Sequence, residues 1–102
     1  MKKSPLSSET LKRLAALFAG ADYEQAHRIL VEECGNNLPF DHDLDEFELE
    51  RIRFAALKLS KGELSRLREA VERAQIDSRD ILMDAGFGQD VDAHKAWFPG
   101  KE

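Results

Sequence analysis

Long apolar runs are missing from this chain of 102 residues, and none approaches the roughly 20 residues that a bilayer-spanning helix needs. Cysteine is almost absent: Cys34 stands alone, which excludes an internal disulfide and the paired CxxC spacing of a structural zinc site. Three prolines and six glycines are too few for a turn-rich sheet protein and favour long helices. The chain contains no Gly-rich phosphate loop, GxSxG elbow or HExxH motif, so no cofactor is expected. Positive charge is in deficit, with 15 basic against 20 acidic residues and a net charge of −5. That balance disfavours nucleic acid and anionic membrane surfaces as partners. Only Lys2, Lys3, Lys12 and Arg13 make a locally basic stretch. Pro5, Ser7, Ser8 and Glu9 occupy the place where a signal peptide would be apolar, so a cytoplasmic location is expected.

What is present is the composition of one folded domain, with 42% hydrophobic and 34% charged residues. The length allows a single modest core. The expectation is one helical domain over 1–102, with 1–6 and 100–102 as flexible tails.

Apolar spacing sets out the helices. Leu11, Leu14, Ala15 and Phe18 recur at i, i+3, i+4 and i+7 behind Ser7 and Ser8, which predicts a helix near 8–19 closed by Gly20. Asp22 and Gln25 form a capping-box pair ahead of Tyr23, Ala26, Leu30 and Cys34, and Gly35 ends this second helix. Asn36, Asn37, Leu38 and Pro39 open a loop in which the two asparagines can brace the helix end or present amides to a partner. A third helix, from Asp43 or Asp45 to about Leu59, has apolar residues on more than one face and is therefore expected to be central. Ser60 and Glu63 form a Ser-x-x-Glu box that starts a fourth helix along Leu64, Leu67, Val71 and Ala74. Asp77 caps a short fifth through Ile81, Leu82 and Ala85, stopped at Gly86, and Asp90 caps a last turn carrying Val91, His94 and Trp97 before Pro99. The fold class is thus all-α: a compact bundle of about five helices plus a C-terminal helical turn.

Several side-chain groups invite chemistry. Asp41, Asp43 and Asp45 occupy positions 1, 3 and 5 of a calcium loop, but Glu46 stands where the turn needs glycine and Ile52 where a bidentate glutamate belongs. An acidic helix start accounts for them more simply. Asp90, Asp92 and His94 could offer metal ligands, yet no further Cys or His pair completes a set. Cys34 with His27 or His42 could form a thiol–imidazole pair, although the end of a helix disfavours a thiolate. From Ala70 to Ala85 the chain resembles a helix-turn-helix, with Val71, Ala74, Ile76 and Ile81 at its buried positions and Asp77-Ser78 as the turn. Its reading segment would carry Asp77, Asp80 and Asp84 with Arg79 as the lone cation, which opposes phosphate contact.

The segments Asn36-Asn37-Leu38-Pro39-Phe40, Arg53 to Ser60, Arg79 to Leu82, Ala85-Gly86-Phe87 and His94-Lys95-Ala96-Trp97 together resemble a group of small uncharacterised bacterial all-α proteins, over residues 25–99. The resemblance implies a bacterial cytoplasmic protein and brings no activity with it.

The reading that follows is a non-enzymatic helical module that binds another protein or a second copy of itself. Phe87, His94, Trp97 and Phe98 are the expected contact residues, because aromatic side chains anchor interfaces. The same rings could instead close the bundle against Leu67 and Val71. The alternatives are a nucleic-acid-binding regulator acting through 70–85, and a small metal-binding protein.

Overall fold

The computed structural model describes residues 6–35, 46–88 and 93–99. Among them are five helices and no strand: α1 (Ser8–Leu17), α2 (Gly20–Glu33), α3 (Glu46–Ser60), α4 (Leu64–Asp84) and α5 (Ala93–Ala96). The all-α expectation holds. The expected calcium-like run, the asparagine pair and His42 lie outside the described residues, as do Asp90 and Asp92 and the chain ends 1–5 and 100–102. Leu6, placed in the expected tail, instead lies half-buried against the core.

α3 is the centre of the bundle and packs against α4, α1 and α5, while α2 packs against α4 and α1. Its six consecutive residues Ile52 to Leu57 are all buried, so the helix is covered around its whole circumference. One of the six is Arg53, whose Nε donates to the carbonyl of Cys34 at 2.9 Å. Burial of that guanidinium is tolerated because its donor meets an open carbonyl at the end of α2.

On α1 the buried face is turned from the expected one. Leu14 and Phe18 are inside, but Ala15 is exposed and Thr10 and Arg13 are buried in its place. Ser7 caps the helix, its hydroxyl accepting from the Thr10 N–H at 3.2 Å. Gly20 does not close α1; with φ +59° it opens α2 behind Ala19, and Asp22 sits in the first turn instead of capping it. Asp22 still favours the positive end of the helix there.

The Ser60–Glu63 box also works differently from the expectation. The Ser60 hydroxyl donates to the Leu57 carbonyl at 2.6 Å and accepts from the Gly62 N–H, so it finishes α3. Lys61 and Gly62 are both left-handed, which reverses the chain, and a Cβ on Gly62 would stand 3.2 Å from the Leu17 carbonyl. Glu63 then becomes the N-cap of α4, without a side-chain capping bond.

Asp77 does cap a helix. It breaks α4 with φ −158° and ψ 102°, and its carboxylate accepts from the Arg79 N–H at 3.0 Å. At the far end Gly86, with φ +84°, donates to the Met83 carbonyl, and Phe87 donates to that of Leu82. This is a Schellman end, and it turns Phe87 back toward the body.

A common device closes the helices. The last turns of α2 and α4 contain no basic residue of their own. Neighbouring helices supply the donors: Arg53 and Gln75 reach Cys34 and Glu33, while Lys58 and Arg51 reach Ala85 and Phe87. Arg13 does the same for α5, donating to the carbonyls of Lys95 and Trp97.

Candidate functional site

The expected contact rings gather around α3. Phe87 and Trp97 are 2% and 8% exposed and His94 is fully buried, so these three are core residues, which corrects the expectation that they face a partner. The physical reason lies in the segment that carries them. A four-residue helix has no stability of its own, and its large side chains must be covered for it to form at all.

Trp97 lies with its ring centroid 6.2 Å from Phe54 and 6.3 Å from Phe87. His94 is held edge-on by Phe47 and Phe54, each at 5.2 Å, with Phe87 at 6.3 Å. Those separations fall in the favourable range for aromatic pairs. The Glu50 carboxylate stands 3.9 Å from His94 Nε2 and accepts the Ser7 hydroxyl at 2.8 Å, which links the ring cluster to the start of α1.

Arg13 closes the cluster from the other side. Its guanidinium carbon lies 4.2 Å above the Phe54 ring and 5.2 Å from that of Phe98. Phe98, the fourth expected contact residue, is half-buried beside it. Nε donates to the Trp97 carbonyl at 3.0 Å, and Nη1 donates to both the carbonyl and the carboxylate of Glu9. The Glu9 carboxyl is in turn held below its ordinary value, first by Lys12 and then by Arg13. Nothing in the helical periodicity marks Arg13 for this task; a cation at an apolar spacing was its only signal.

The remaining chemistry weakens on inspection. Burial pushes the Cys34 thiol up to about 12, against the smaller opposing pull of Arg53, so at neutral pH it is a thiol and a poor nucleophile. His27 lies half-exposed next to Tyr23, with ring centroids 6.3 Å apart. Among the described residues no three His, Cys, Asp or Glu side chains converge as a metal set. No helix among them is long and apolar enough to cross a membrane.

The surface of α4 holds what periodicity missed. Ile76, given a buried place in the helix-turn-helix alignment, is 82% exposed, and Met83 is 61% exposed. Asp77 separates the two halves of α4 by one non-helical residue, and Ser78 is buried. The nearby cations are already engaged. Arg73 pairs with Asp80 at 2.7 Å and with Asp84, and the two carboxylates raise its pKa. Arg79 pairs with Asp77, whose carboxyl is held below its ordinary value by that contact. A phosphate backbone would have to displace these carboxylates before it met a free guanidinium. Comparison of the chain with family models, with curated proteins and with solved structures finds no match to any of them.

Proposed function

We propose that the protein works by binding another protein, as a small helical module without chemistry of its own, and that the outer face of α4 is the contact. The observation that carries this reading is Ile76. The described chain buries Leu14, Leu30, Ile52, Leu57, Leu67 and Ile81 almost completely, yet leaves this isoleucine in solvent at the break in a helix. Covering such a side chain is worth roughly 1.5–3 kcal/mol, which nothing within the described fold supplies. Met83, an adaptable apolar side chain, is the second exposed one and lies one capped segment further on. Between them Arg73, Asp77, Arg79, Asp80 and Asp84 form a polar border of paired charges. An apolar centre inside a polar rim is the usual anatomy of a protein interface.

A photo-crosslinking amino acid at position 76, activated in the native cell, tests the reading. One discrete heavier adduct, lost when Met83 is also replaced by aspartate, supports it. An adduct of twice the chain's mass would make the partner a second copy. Absence of any discrete adduct, with the labelled protein folded and expressed, overturns it.

A further inference from the structure

We infer that residues 93–99 form a detachable strap, docked over the aromatic cluster and locked by Arg13, so that the chain has an open form with the strap released and α1 to α4 intact. The inference is independent of the α4 contact proposed above. It rests on how the strap is held. α5 is four residues long and docks on α3, so its helical state depends on contact with the body. Its grip consists of inserted side chains, Trp97 against Phe54 and Phe87 and His94 against Phe47 and Phe54, together with the two carbonyls that accept from Arg13.

Arg13 is suited to be a latch because release would not strand it. Nη1 remains bonded to the Glu9 carbonyl and carboxylate within α1, and only Nε and Nη2 lose their acceptors on the strap and turn to water. The guanidinium therefore has satisfied arrangements in both forms, unlike a buried charge whose sole partner is removed. The strap's flank is also open: a cleft of about 580 Å³ runs beside it, lined by Leu17, Lys58, Leu59, Asp84, Trp97 and Pro99. Water can thus enter along the edge of Trp97 without first separating α3 from α4. Release uncovers the rings of Phe54 and Phe87, which the closed form hides.

Trp97 is the chain's only tryptophan, so it reports on the strap alone. The whole chain carrying fluorotryptophan is observed by fluorine NMR with saturation transfer, beside far-ultraviolet circular dichroism for α1 to α4. The wild type is expected to show a minor resonance at the position of a solvent-exposed indole, at urea concentrations that leave the helical signal unchanged. Arg13→Gln should raise that population by roughly tenfold or more, since charge-assisted hydrogen bonds are lost. Arg13→Lys, which keeps the charge and loses the fork, should fall between the two. The inference is overturned if the wild type shows no exposed-indole state before the helical signal falls. It is equally overturned if Arg13→Gln loses indole burial and helix together, or retains a single buried resonance.

Discussion

On the outer face of α4, Arg73 and Arg79 direct their donors to carboxylates in solvent; inside, Arg13 and Arg53 direct theirs to backbone carbonyls. The two regions use the same side chain for unlike ends. In water an ion pair competes with hydration and adds little, typically up to about 1 kcal/mol. In the interior the guanidinium is already desolvated, so an acceptor that is missing costs far more than one that is present contributes. The outer arginines tidy a surface, and the inner ones fix where helices end.

That contrast sets the order of expected effects. Trp97→Ala should be the most damaging substitution, destabilising the chain by about 3–5 kcal/mol in urea unfolding, because it empties space between Phe54 and Phe87. Arg13→Gln should cost about 2–3 kcal/mol, whereas Arg73→Gln should stay within about 1 kcal/mol although it removes two ion pairs. Equal effects from the two arginine substitutions would dissolve the distinction between the regions. Gly86→Ala should cost about 1–2 kcal/mol through its left-handed backbone alone, since the nearest atom to an added Cβ is Lys58 Nζ at 4.0 Å.

The smallest effect belongs to pH. Glu9 and Asp77 titrate lower in the folded chain than their ordinary values of 4.5 and 3.8. What they add to stability is therefore complete above those values and fades as pH falls through the lower folded ones. Melting curves of the wild type, Glu9→Gln and Asp77→Asn should converge in acid and separate slightly at neutral pH. Divergence toward acid would reverse the assignment.

The fold was legible in the sequence wherever a residue acts on its own neighbours. Asp77 caps the segment behind it, Gly86 stops it, and the many-sided apolar pattern of α3 announces a central helix. Reading failed where a partner far along the chain decides. Ser60 resembles half of a capping box, but the left-handed pair Lys61-Gly62 carries Glu63 away and leaves the hydroxyl to α3. Arg13 takes a core position that periodicity assigns to Ala15, because its acceptors lie 82 and 84 residues downstream. The aromatic residues near the C-terminus were recognisable as important, yet composition cannot distinguish a ring that awaits a partner from one that already has Phe54. Ile76 shows the converse: a spacing that fits a buried position gives no hint that α4 turns it outward.

The cross-capped helix ends bear on how the chain can vary. Each of Arg13, Arg51, Arg53 and Lys58 answers to a carbonyl, a group that every amino acid carries. Replacing Cys34, Ala85, Phe87 or Trp97 leaves that acceptor in place, and no exchange of side chains between the two positions can restore a cation once lost. In a set of diverging copies these four sites would thus hold their charge without any paired change elsewhere. A search for correlated substitutions would pass over the contacts that join one helix to the next.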